Sequence, residues 1–269
     1  MSGPGLYAAV AVRSFRRYST YRAATLAGAF TNSVFGVILA YTFVALWSER
    51  PDLGGYDVTT AVTFVWIGQA LLAPVAIFAS GAEADLVERV RTGDVAIDLY
   101  RPTDLQLWWL AADLGRAAFQ LLARGLPPAL VGLLIFDLRF SSNPLTWLVF
   151  LLSVGLAVTV SFSIRYLVAL SGFWLLDVRG AQTVAVVLST FFSGLFLPLV
   201  IFPGWLRDVA FALPWASLLQ LPADVLLEER TGWSVVQALA FQAAWATALL
   251  LLGRLVLRVA TRRVVVQGG

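Results

Sequence analysis

The chain has 269 residues, 59% hydrophobic and only 13% charged, with a net charge of +3 and a mean hydropathy of +0.82. A soluble domain carries about 25% charged residues, and apolar runs of about 20 residues are long enough to cross a bilayer, so the composition excludes an ordinary soluble domain and calls for an integral membrane protein of several helices. There is no Cys and no His, and all 19 basic residues are Arg, which excludes a Walker A loop, a Ser–His–Asp triad, a Cys nucleophile and the usual zinc site.

Residues 1–22 lack the apolar core and small-residue cleavage site of a signal peptide. On a helical wheel Tyr7, Ala11, Phe15 and Tyr18 share one face and Arg13, Arg16 and Arg17 the other. That pattern predicts a helix lying in the membrane interface, against the simpler reading of a basic flank that only sets topology. A first span is expected over 23–47, where Ala27, Gly28, Ala29, Ser33 and Gly36 permit close helix contact. A short acidic turn over 49–57 precedes a second span over 59–80, with Pro74 as a kink.

Residues 81–104, GAEADLVERVRTGDVAIDLYRPTD, form the one long charged interruption. Asp85 and Arg89 stand at i,i+4, and Glu88 and Arg91 at i,i+3, spacings that support a helix. Gly93 fits its stop, and Arg101-Pro102 closes the segment.

The third span is expected over 105–136, longer than a perpendicular crossing needs, with Trp108 and Trp109 in the interfacial belt. Asp113, Arg116, Gln120 and Arg124 fall on one stripe, which Pro127-Pro128 then breaks or bends. Ionisable groups at such depth face protein or a water-filled path. Asp113 and Arg116 pair on one helix or snorkel near the interface; Arg124 meets an acid on another span or subunit, or faces the path. The fourth span is expected over 144–170, where Arg165 snorkels or pairs with Asp177, and the fifth over 183–202. Residues 203–230 are too apolar for a loop and too broken by Pro203, Pro214 and Pro222 for a straight span. They read as a hairpin dipping into the outer leaflet or as a loop lying on the surface. The last span is expected over 235–257, before a basic tail over 259–269.

Six spans put both ends on one side. The positive-inside rule makes that side cytoplasmic: it collects Arg13, Arg16, Arg17, Arg22, Arg89, Arg91, Arg101, Arg179, Arg258, Arg262 and Arg263, leaving Arg50, Arg139, Arg207 and Arg230 outside. The fold class is therefore all-α integral membrane, a six-span domain over 23–258 with an N-terminal interfacial helix, a charged cytoplasmic helix between spans two and three and an outer hairpin between spans five and six.

This layout resembles the six-span permease subunits of ABC exporters of the second type, the ABCG-like or type V membrane fold, and most of all the small bacterial stand-alone permeases that pair with a separate ATPase. Two passages carry the likeness. Arg91-Thr92-Gly93-Asp94-Val95-Ala96 with Leu99-Tyr100-Arg101-Pro102 is similar to that branch's Ser/Thr-Gly-Asp, apolar run and Leu-x-Arg-Pro. Ser193-Gly194-Leu195 through Pro198, then Pro203-Gly204-Trp205-Leu206 and Pro214, is similar to the family's Gly, Pro, Leu-Pro-x-Trp, Pro series, with Phe202 where Leu is common and Gly204 widening the turn.

The resemblance implies that Glu83, Asp85, Glu88, Arg89, Arg91, Asp94 and Arg101 couple to the ATPase, that Arg13, Arg16 and Arg17 sit on a connecting helix, and that Pro203, Trp205, Pro214 and Trp215 shape an outer gate; on the separate ground of their intramembrane polarity, Arg116, Gln120 and Arg124 are the residues to test for a translocation path. The resemblance also implies two ATPase copies carrying ATP and Mg, a second permease subunit in a homo- or heterodimer, membrane lipid but no nucleic acid as partner, no cofactor or metal on this chain, and the bacterial plasma membrane as location. A solvated loop is the plainer account of the charged segment. A secondary carrier would show inverted repeats and a mid-span acid, and neither is visible. A membrane-embedded lipid enzyme would show clustered acids or His. A scaffold or sensor subunit stays open.

Overall fold

The computed structural model describes residues 3–262 except 77, 79, 80, 82, 101 and 176, and leaves out the side chain of Glu83. The expected roles of Arg101, Arg263 and the Glu83 side chain thus lie outside the described residues. Among the described residues there are twelve α-helices and no strand. Four helical stretches are long and apolar enough to cross a membrane: Arg22–Glu49, Leu105–Ile135, Pro144–Phe173 and Trp233–Thr261. A pair bent by 70°, Gly204–Ala212 with Pro214–Leu226, brings the number to five if it counts as one span.

Helix α1 (Pro4–Ser19) opens on a proline, whose missing N–H costs nothing in the first turn. It runs parallel to α6 (Leu105–Gln120). Gly115 meets the Ala11 backbone so closely that a Cβ there would lie 2.0 Å from the Ala11 carbonyl oxygen, and the Phe15 and Phe119 rings meet edge to face at 5.5 Å. The apolar face expected of α1 thus rests on protein over this stretch. Gly115→Ala is expected to lift α1 off α6 and to speed tryptic cleavage at Arg13, Arg16 and Arg17 severalfold; cleavage at the wild-type rate would show that the two helices can part without cost.

Helix α2 (Arg22–Glu49) continues the parallel course beside α7 (Leu126–Ile135), with Tyr41 against Phe136 at 5.1 Å. Its small residues serve as the sequence suggests: Gly36 and, from α7, Gly132 close on the Trp66 ring, where a Cβ would fall 2.7 and 2.5 Å from ring atoms. Trp66 belongs to α3 (Val58–Leu71), which starts at Asp57, whose side chain accepts from the Thr60 N–H. That hydrogen bond holds the Asp57 carboxyl below its usual range.

The second expected span is corrected here. The helix is 14 residues, about 21 Å at ~1.5 Å per residue, and it ends before Pro74 instead of kinking there. Proline cannot donate to the ladder and its ring blocks the carbonyl four residues earlier; turns then run through Ala76.

Helices α4 (Glu83–Thr92) and α5 (Val95–Leu99) are separated at Gly93, whose φ of +83° suits only a residue without Cβ. Between α6 and α7 the chain does not break at the prolines. It widens into a π-turn over Leu121–Gly125 and continues, an arrangement that makes room for the Pro127-Pro128 rings.

Helix α8 (Pro144–Leu170) is capped by Asn143 and runs down the centre, packed on α12 (Trp233–Thr261), α4 and α6. The fifth expected span is also shorter than the apolar run suggests: α9 (Arg179–Phe192) ends where Gly194 turns at φ +89°. The segment 203–230 forms α10 (Gly204–Ala212), a 3-10 turn over Pro214–Ser217 and α11 (Gln220–Leu226). The largest buried cluster joins α2, α3, α8 and α11 around Trp47, Tyr56, Phe64 and Trp66, and a second joins α4, α6 and α8 around Leu86, Trp109 and Tyr166.

Candidate functional site: a charged helix seated on a buried ion cluster

The charged segment is held by ion pairs within itself and to α1. Leu86, fully buried, plugs α4 into the apolar cluster it shares with α6 and α8. The polar side of α4 faces α1 across a groove of about 1000 Å³ lined by Arg13, Arg16, Arg17, Asp85, Glu88 and Arg89, with Asp94 and Asp98 at the α5 end.

Arg17 bridges that groove to Asp85, tying α1 to α4. Arg89 reaches past Gly93 to grip both carboxylate oxygens of the buried Asp98 on α5, and Arg91 pairs with Glu88 at 2.7 Å on the exposed face. The i,i+4 spacing of Asp85 and Arg89 therefore marks the helix, but each group finds its partner elsewhere. Donating to Asp85 and Asp98 raises Arg17 and Arg89, and accepting from Arg91 lowers Glu88, so these groups stay charged at physiological pH. Arg13, Arg16 and Asp94 remain exposed on the groove's rim.

Beneath α4 lies a cluster that sequence reasoning placed only in part. Asp113, fully enclosed, accepts from Arg116 Nε at 2.7 Å and from Arg165 Nη2 at 2.7 Å. Arg116 also donates to the Ala73 and Pro74 carbonyls at 2.8 and 2.7 Å, the carbonyls left over where Pro74 ends α3. Ser161 takes the next one, that of Val75. One carboxylate and two guanidinium groups thus join α6, α8 and the end of α3.

Two expectations are corrected. Arg165 neither snorkels nor pairs with Asp177, which pairs with Arg179 instead; and Asp113 and Arg116, which do pair on one helix, are buried against protein and do not snorkel. Burial of Arg116 leaves Gln120 and Arg124 as the half-exposed members of the stripe. The signal for the cluster was the Arg–Asp stripe itself; its second cation, 52 residues along the chain, gave none.

At the other end a polar network fixes the bent segment 203–230. Gln220 is fully buried. Its Oε1 accepts from the Leu199 N–H at 2.7 Å, its Nε2 donates to Asp224 Oδ1 at 2.7 Å and to the Tyr56 hydroxyl at 3.0 Å, and its own N–H donates to the Ser193 carbonyl. Tyr56 donates to Asp224 at 2.8 Å, and Arg230 pairs with Asp224 at 3.2 Å. Of the residues expected to shape a gate, Pro203 precedes α10, Trp205 is exposed, Pro214 is buried, and Trp215 lies half-buried near Phe192. None of Tyr56, Gln220, Asp224 or Arg230 stood out in the sequence.

A family model described as an ABC-2 family transporter protein matches residues 14–268, nearly the whole chain. No curated protein matches it.

Proposed function

The chain belongs to the ABC-2 transporter family, a family of transport membrane components that work with an ABC ATPase, and from that premise we propose that it is the membrane-spanning subunit of an ATP-driven exporter in the bacterial plasma membrane. Two permease subunits, identical or related, would enclose the path. Two separate ATPase subunits would bind ATP and Mg, close on them, and push on α4. Both termini would be cytoplasmic, by the Arg distribution. The cargo would be hydrophobic or amphipathic: a drug, a lipid or a metabolite.

The observation that carries this reading is the seating of α4. Its polar face stays open to a soluble partner, while its base is fixed through Leu86 to α6 and α8 and sideways through Arg17–Asp85 to α1. Displacement of such a helix must be passed to the bundle. The exposed Arg and Asp/Glu groups suit a partner rim, since Arg pairs with carboxylates in two-pronged fashion.

Glu88 tests it cleanly, because its partner among the described residues, Arg91, is on the same exposed face. In Glu88→Arg the bundle should keep its thermal stability while the ATPase no longer co-purifies from native membranes in mild detergent, and vanadate-sensitive ATP hydrolysis falls with it. Full co-purification of the ATPase with Glu88→Arg, at normal turnover, would remove α4 from the interface.

A further inference from the structure

Arg124 is a half-buried cation with no ion pair among the described residues. It sits in the π-turn with its guanidinium against Gly28 of α2, where a Cβ would fall 2.2 Å from Cζ and Nη2. The glycine is therefore a notch that the cation occupies. Its Nε is buried without a hydrogen-bond partner among the described residues, and so is Gln120 Oε1, one turn earlier. Gly125, the residue after Arg124, packs on the Ala70 carbonyl of α3, which holds this turn against α3. A native interior pairs nearly all such groups, and an unpaired cation at membrane depth marks a functional position.

Among the described residues no carboxylate pairs with Arg124. Helices α3, α7, α8, α9 and α12 contain no acid, and that of α2 is its last residue, Glu49. Asp113 and Asp224 are buried and already paired. A second copy packed through α3, α7, α8, α9 or α12 meets the same shortage, since those helices carry no acid to offer. Gly28 is six residues into α2 from Arg22, about 9 Å along the axis, a depth a lipid headgroup reaches with modest displacement. The exposed side chains on the flanking helices are apolar: Leu26 and Phe30 on α2, Leu122 and Leu126 on the π-turn and α7.

We propose that Arg124, seated in the Gly28 notch between α2 and α7, binds the anionic headgroup of a membrane lipid, whose acyl chains lie along Leu26, Phe30, Leu122 and Leu126. The guanidinium supplies charge-assisted hydrogen bonds to a phosphate, and the unpartnered carboxamide oxygen of Gln120, one turn away, accepts from a headgroup hydroxyl or amine. The proposal rests on α2 and α6–α7 crossing the bilayer and not on ATPase docking, so either can fail alone.

The test is photo-labelling of the full chain in nanodiscs containing a trace of photoactivatable phosphatidylglycerol or of photoactivatable phosphatidylcholine, with labelled peptides mapped by mass spectrometry. Phosphatidylglycerol should label α2 and the π-turn–α7 peptides, with phosphatidylcholine labelling them far less. Arg124→Gln should lower the phosphatidylglycerol signal there about tenfold, the loss of one charged hydrogen-bonded contact, while labelling elsewhere is unchanged; Arg124→Lys, which keeps the charge, should retain part of it. Equal labelling by the two lipids in the wild type overturns the proposal whether or not the variants fold, and so does undiminished phosphatidylglycerol labelling in Arg124→Gln. An acid supplied by a partner subunit instead would show as no lipid preference at these peptides once that subunit is bound.

Discussion

Asp113→Ala is expected to collapse the accumulation of folded protein. The side chain is fully enclosed and answers two guanidinium groups, each within 2.7 Å. Removing the carboxylate leaves both cations buried and facing each other, and breaking a buried pair in this way costs about 3–5 kcal/mol. The stability lost corresponds to a drop in melting temperature on the order of 10 °C for a chain of this size. Arg165→Met should cost much less, because Asp113 keeps Arg116 and the methionine fills the stem's volume. Arg116→Met should fall between the two: it frees the carboxylate of only one partner but also strips the Ala73 and Pro74 carbonyls of their donors. The ranking is read from fluorescence-detected size-exclusion of a fusion protein after a heating series. Asp113→Ala melting with the wild type would mean that water reaches the cluster and that the triad is no structural hub.

The second large effect is expected at Gln220. Gln220→Leu removes three side-chain hydrogen bonds at once and orphans the Leu199 N–H, which has no other partner among the described residues. A buried donor left unpaired costs about 1–3 kcal/mol by itself. Tyr56→Phe deletes one hydroxyl and leaves the Gln220–Asp224 and Gln220–Leu199 bonds in place, so its cost is about 1 kcal/mol. The absence of cysteine makes the difference measurable: Ala216→Cys, at a fully buried position in the 3-10 turn of the bent segment, reports opening by its maleimide labelling rate. Gln220→Leu should raise that rate by about an order of magnitude or more through local opening, and Tyr56→Phe by far less. Equal rates in all three backgrounds would show that apolar packing alone holds the segment down.

The contrast between these clusters and what the sequence announces is instructive. The long helices α2, α8 and α12 and the α6–α7 continuation were legible because an apolar run is itself the signal. Helices α3 and α9 were overextended for the same reason: the runs continue past Leu71 and Phe192 in composition, whereas Pro74 and Gly194 end the helices in geometry. The charged helix α4 was legible from i,i+3 and i,i+4 spacing, but its partners were not. Arg17 lies 68 residues from Asp85, and periodicity carries nothing over such a separation. Asp177 looked like the natural mate of Arg165 only because it was near in sequence. The Tyr56–Gln220–Asp224 network escaped altogether, since a segment judged by its apolar residues hides the polar ones that fasten it.

The π-turn over Leu121–Gly125 also has a consequence for register. A turn of this kind carries one residue more than an α-turn, and each residue of an α-helix advances about 100° around the axis. The faces of α7 are therefore rotated by about that angle from where an uninterrupted helix continuing α6 would put them. Gly132 meets Trp66 and Phe136 meets Tyr41 only with the extra residue counted in. Shortening the stretch by a single residue would not loosen the helix but straighten it, swinging a leucine-rich side to the place where the glycine now admits the indole, so that a deletion here acts as a rotation of everything from Leu126 to Ile135.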